Sequence, residues 1–324
     1  MRLPFGAAKM GAVADAGVQV GRPPRKRVLT QRQRAERKLA WMLCAPAVAV
    51  MALVAIYPII YAIYLSFQRY DLRFPADQKW VGISNYTTIL TSTSLWWQAF
   101  GITVLITVVS VVIELILGMA VALVMHRAIF GRGVVRTAVL LPYGIVTVVA
   151  AFSWQYAWTP GTGYLVSWFG GGTAAPLTHQ WQAVAIIILA EVWKTTPFMA
   201  LLLLAGLSLV PEELLRAAKV DGATAWQRFI RVMVPVMKPA ILVALLFRTL
   251  DAFRIFDNIY ILTQGSQNTR SVSILDYDQL FTALNLGVGS AMSVLIFLAT
   301  ALIAFGYIKG FGAAAPGQDV RGVR

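Results

Sequence analysis

The chain is 324 residues long, 58% hydrophobic and only 13% charged, with a mean hydropathy of +0.69. Soluble globular chains carry about a quarter of their residues charged, so this composition excludes an ordinary water-soluble enzyme and points to helices that cross lipid. The formal charge of +14 does not indicate nucleic acid, because the basic residues flank apolar runs, and the lone Cys44 forms no internal disulfide.

Residues 1–39 hold ten Lys/Arg against two acids and are rich in Gly, Ala and Pro. They read as a basic, flexible cytoplasmic tail attracted to anionic lipid. Six spans follow, at about 40–67, 99–125, 134–157, 183–209, 237–262 and 288–309. The first carries Pro46 and Pro58, and the second is broken only by Glu114, read as a structural hydrogen bonder. The third has Pro142 near its start and ends in Trp154, Tyr156 and Trp158; the last begins with the small residues Gly287, Gly289, Ser290 and Ala291. Alternating segments of the β-barrel kind are missing from the sequence. The expected fold is therefore all-α and integral to the membrane, with one domain over 40–309 and a short tail at 310–324.

Lys and Arg set the orientation. Residues 1–39, 126–136, 210–239 and 309–324 carry 21 of them, whereas the opposite connections carry only Arg69, Arg73, Lys79 and Arg270. The positive-inside rule puts both termini in the cytoplasm.

Between spans four and five lies PEELLRAAKVDGATAWQRFIRVMVPVMKP, residues 211–239. Pro211, Glu212 and Glu213 suit a helix start, Asp221–Gly222 a stop. A second amphipathic helix over Ala223–Val234 groups Trp226, Phe229, Ile230 and Met233, and Pro235 is expected to end it. From the residues alone this insert either docks a protein or lies on the lipid surface.

The loop resembles the EAA loop of ABC-importer permeases, in particular the binding-protein-dependent carbohydrate permeases of the maltose and glycerol-phosphate type. The resemblance rests on Pro211, Glu213, Leu214, Ala217, Ala218, Asp221, Gly222, Ala223, Phe229 and Pro235 in register. Trp80-Val81-Gly82 with Asn85-Tyr86, and Phe256-Asp257 through Leu262-Thr263-Gln264-Gly265, extend it over about 40–309. The chain is most similar to the first-subunit kind, and among these to mycobacterial trehalose-type permeases. Two departures stand out: Arg216 replaces a Glu of the motif, and Gly265-Ser266-Gln267 replaces Gly-Gly-Pro. The resemblance implies a coupling helix seated on an ATPase, with Glu213, Arg216, Ala217, Ala218, Asp221, Gly222 and Ala223 as coupling residues. It also implies the partners: a second homologous permease chain, two cytoplasmic ATPase subunits and an extracytoplasmic sugar-binding protein or lipoprotein. The sequence has no G-x-x-x-x-G-K-[ST] loop, so ATP and magnesium belong to the partner ATPase and no cofactor is expected on this chain.

Charges inside spans are costly, about 2.5–3.5 kcal/mol each at the centre on insertion scales, and mark functional positions. Arg248, Asp251, Ala252 and Ile255 share one face of span five, where maltose-type relatives place sugar contacts. Glu191, Lys194, Thr195 and Phe198 repeat that spacing in span four, so the two faces are expected to meet across a translocation path. Equally, Glu191/Lys194, Arg248/Asp251 and Arg254/Asp257 read as i,i+3 pairs that neutralise one another. The expected function is import of a sugar, a disaccharide such as trehalose. The alternatives are import of another polar solute or secondary transport; a membrane-embedded enzyme would need clustered acids or histidines, and only His126 and His179 occur.

Overall fold

A computed structural model describes residues 31–92, 94–127, 132–170 and 174–312. Most of the basic tail, together with 313–324, lies outside the described residues. The chain divides into two compact units, 1–57 and 58–324. In the first, helix α1 (Gln31–Met51) passes through a π turn at Ala52–Ile56. Its large apolar residues, Trp41, Leu43, Val50 and Leu53 among them, are exposed, as are Cys44 and its neighbours. Such a helix needs lipid or protein as solvent. Lys38–Ser66 is long and apolar enough to cross a membrane.

The second unit opens with the remainder of α2 (Tyr57–Ser66) and a small antiparallel hairpin. In it β1 (Gln68–Arg69) pairs with β2 (Lys79–Trp80). The Asn85 amide, on the short helix α3 (Ser84–Thr87), donates to the carbonyls of Ser66 and Gln68 at 2.8 Å each. Phe67 stacks on Trp80 at 5.5 Å, and Gly82 takes φ +59°. The Trp80…Tyr86 motif thus ties the C-terminal end of α2 to α3.

Helices α4 (Ser94–Arg127) and α8 (Gln180–Leu207) pack along each other as the centre of the unit. Gly118 permits this approach: a Cβ there would meet Met199 Cγ at 2.8 Å. Between them in sequence come α5 (Arg132–Gly144), α6 (Thr147–Ala157) and the short α7 (Tyr164–Gly170). Helices α5 and α6 bend by 84° about Ile145–Val146, so the third apolar stretch is not one continuous helix. The helix breaks just after Pro142-Tyr143-Gly144, where a carbonyl loses its proline partner and glycine loosens the backbone.

Next come α9 (Glu212–Val220) and α10 (Ala225–Arg228), separated at Asp221–Gly222 with Gly222 at φ +79°. Thr224 and Gln227 form a reciprocal capping box at the start of α10. The expectation that Pro235 ends this second helix is wrong. A π turn at Phe229–Met233 leads straight into α11 (Val234–Ala252), and Pro235 falls directly after it, where the hydrogen-bond register changes from the π to the α spacing. The fifth span also breaks, at 253–256, before α12 (Asp257–Leu262). The chain closes with α13 (Val272–Tyr277), a π turn at Asp278–Thr282 and α14 (Leu286–Gly312). Among the described residues, five helices are long and apolar enough to cross a membrane, six with the bent α5–α6 pair counted as one span.

The core of the second unit falls into three apolar clusters. One joins α4, α8, α12 and α13 through Ile106, Ile187, Ile259 and Ile274. A second holds Met199, Leu203, Met237 and Ala244, with Phe229 and Met233 of the loop packed on it. The third joins Trp96, Phe253, Leu275 and Met292.

Candidate translocation site

Both helix breaks open onto one cavity of about 510 Å³, lined by Tyr143, Ile145, Thr147, Glu191, Lys194, Thr195, Asp251, Ile255, Phe256, Asp257 and Asn258. Irregular backbone at membrane depth is tolerated where it lines such a cavity. Its polar wall is organised by Arg248, whose side chain is fully buried. Nε donates to Glu114 Oε2 at 2.5 Å and Nη2 to Glu114 Oε1 at 3.0 Å. Nη2 also donates to Glu191 Oε1 at 2.6 Å, and Nη1 to Asp251 Oδ2 at 2.5 Å. The other Glu191 oxygen accepts from Asn258 Nδ2 at 2.5 Å, and Glu114 Oε1 from Thr195 Oγ1 at 2.8 Å. One guanidinium therefore joins α4, α8 and α11, and through Glu191 also holds α12.

Buried ions persist only when their remaining donors and acceptors are met; here Arg248 makes four carboxylate bonds. The cavity and its wall carry four carboxylates (Glu114, Glu191, Asp251, Asp257) against Arg248 and Lys194. Lys194 Nζ donates to the Ile145 carbonyl, freed by the α5–α6 break, at 2.6 Å and sits 6.0 Å from the Tyr143 ring.

The structure brings the span-four and span-five faces together at Glu191 and Arg248, as their spacing suggests, but repairs them differently. Glu191 bonds Arg248 and Asn258, so no Glu191–Lys194 pair forms. Arg254 and Asp257 make no salt bridge among the described residues, because the break at 253–256 destroys their helical spacing. Asp257 lines the 510 Å³ cavity instead, and Arg254 a separate one. Arg248/Asp251 does form, and Glu191, Lys194, Thr195, Asp251 and Ile255 all line the cavity. Ile255 does so from the break, since α11 stops at Ala252. Ala252 is buried in the second apolar cluster, away from the cavity lining. Phe198 stacks on Tyr143 at 5.3 Å and so props a lining residue. Glu114 is the hydrogen bonder it was read as, but at the heart of the site. Asp257, Asn258, Tyr143 and Thr147 are residues sequence reasoning missed; Asp257 and Tyr143 stood beside quoted signals, the Phe256-Asp257 motif and Pro142.

On the loop, Glu213, Arg216, Ala217, Asp221 and Gly222 are exposed, with Ala218 and Ala223 half-buried. Arg216 pairs with Glu212 one turn back at 2.6 Å.

A family model described as the binding-protein-dependent transport system inner membrane component matches residues 114–310. The chain belongs to this family of ABC transporter permeases. It is 62% identical over 293 residues to the trehalose transport system permease protein SugA of Mycobacterium tuberculosis, covering 90% of this chain and 95% of that one. It is 37% identical to the trehalose/maltose transport system permease protein MalF of Thermococcus litoralis, over 85% of this chain and 94% of that one. A crystal structure of a bacterial ABC transporter that imports alginate shares the fold, with a TM-score of 0.75 at 22% identity, over 89% of this chain and all of that one. The permease is accordingly a multi-pass inner-membrane component, and the 510 Å³ cavity lies within the region the family model covers.

Proposed function

We propose that this permease carries trehalose, or a disaccharide of the same hydroxyl-rich kind, through the cavity at the two helix breaks. The observation that supports this most is the cavity's lining: charged and polar groups held in place by Arg248, beside the ring of Phe256, in a volume typical of small-molecule sites. The names of the two relatives above point to the same substrate. Arg248 is the organiser and sits behind the wall, its bonds spent on Glu114, Glu191 and Asp251. Contact with sugar hydroxyls falls to Asp251, Asp257, Lys194 and Thr147, which line the opening.

The energy comes from ATP hydrolysed by two partner subunits on the side of residues 212–228, with magnesium bound there and not on this chain. In this reading both termini are cytoplasmic, a second homologous permease completes the cavity, and an extracytoplasmic binding protein or lipoprotein delivers the sugar. Closure of the ATPase pair pushes on α9 and α10, and the continuous helix from Ala225 to Ala252 carries that push to Arg248. Competition of unlabelled sugars against labelled trehalose, in proteoliposomes holding the whole complex, tests the reading. Trehalose is expected to compete best; a preference for amino acids, or uptake indifferent to ATP, would overturn it.

A further inference from the structure

Four aromatic rings run in unbroken contact from the cavity toward the surface. Phe256, which lines the cavity, stacks on Tyr260 at 5.2 Å and 16°. Tyr277 meets both, at 5.2 Å from Phe256 and 5.4 Å from Tyr260, and stacks on Phe281 at 4.8 Å and 28°. Exposure is greatest at the outer end: Tyr260 is 37% exposed and Phe281 65%. The outer pair belongs to the end of α13 and the π turn after it, a kind of helical irregularity frequent at functional sites. This end of the unit is remote from α9 and α10, since the 19 residues of α11 span about 28 Å between them. An ion pair, Arg270–Asp278 at 3.4 Å, lies beside the ladder.

We propose that Tyr277 and Phe281 form an outer docking step for a pyranose ring, from which the sugar passes to Phe256 and the cavity. Such a ring has apolar C–H faces and a rim of hydroxyls. The ladder offers it flat aromatic faces, with the phenol oxygens of Tyr260 and Tyr277 and the carboxylate of Asp278 for the rim. Continuity decides the occupant: the rings lead from the surface into the proposed sugar cavity without a gap, and a partner's apolar side chain would block that path. The proposal rests on the sugar-import reading above.

The test uses the whole complex (both permeases, the ATPase pair and the binding protein) in proteoliposomes, with labelled trehalose. Phe281→Ala and Tyr277→Ala are each expected to lower uptake at saturating binding protein about 2- to 10-fold, the range set by one aromatic contact. Phe281→Trp should restore it, while the binding-protein titration midpoint and recovery of the second permease stay unchanged. Three outcomes overturn the proposal. They are unchanged uptake in the double variant, a shifted titration midpoint (a contact with the binding protein), or loss of the second permease on purification (an interface between chains). Absence of trehalose uptake by the unaltered complex would instead overturn the sugar reading itself, and this step with it.

Discussion

Arg248 and Asp251 are bonded to each other at 2.5 Å, yet their surroundings assign them opposite roles. The Arg248 side chain is fully buried, whereas that of Asp251 is 66% exposed toward the cavity. Removing Arg248 leaves Glu114 and Glu191 buried without their cation, and breaking a buried pair in this way costs about 3–5 kcal/mol. Arg248→Met should therefore lower the thermal midpoint of the detergent-purified complex sharply, and its yield with it. Asp251→Asn leaves Arg248 bonded to both glutamates, so stability should change by less than about 1 kcal/mol. Its effect belongs in the sugar KM, expected to rise several-fold in uptake assays. Equal destabilisation by the two variants would refute this division of roles. The charges themselves were legible in the sequence, being rare within spans. So was their i,i+3 pair, but Arg248's bond to Glu114 was not, because Glu114 stands on another helix, 134 positions away, and no local spacing encodes it.

Elements show the same limit in a different form. The expected spans coincide with helices because long apolar runs at lipid length leave the backbone little choice. Of the breaks at 145–146 and 253–256, only the second was hidden, since no proline or glycine stands in it. Pro142 and Gly144 announce the first break; nothing in Phe253–Phe256 announces the second. The docking of α13 on α14 carries a pH-dependent term. Asp276 donates nothing and accepts from Ser293 at 2.7 Å through one oxygen, while its other oxygen is buried without a partner. Burial raises its carboxyl from the usual 3.8 to about 6, a difference of about 3 kcal/mol between charged and neutral forms. The fold thus binds this proton more tightly than the unfolded chain does, so the contribution to stability is full below about pH 4. It is lost as pH rises through 6. Hydrogen exchange across 272–282 should accordingly quicken between pH 4 and 6.5 beyond its intrinsic pH dependence. Asp276→Asn should abolish that excess, and an identical excess in the variant would show that another group is responsible.

At the scale of the whole molecule, the two ends of α11 divide the labour. Its start follows α10 through the π turn at Phe229–Met233, and its end carries Arg248 and Asp251, so the 212–228 insert and the cavity are joined by one run of helix. The loop's own hinge is at Asp221–Gly222, where φ of +79° suits glycine and no atom lies within 4 Å of a would-be Cβ. Gly222 therefore sets the angle between α9 and α10 rather than fitting into a packed contact. Deleting Gly222–Ala223 should leave the apolar clusters of the bundle and the Arg248 network intact, because Ala223 and Gly222 belong to none of them. It should, however, shorten the insert and rotate α9 against α10. The complex should then assemble in normal yield, with ATP hydrolysis no longer stimulated by sugar-loaded binding protein and uptake lost. Retention of both stimulated hydrolysis and uptake would show that force reaches α11 by another route, most directly through Phe229 and Met233, which already pack on the second cluster.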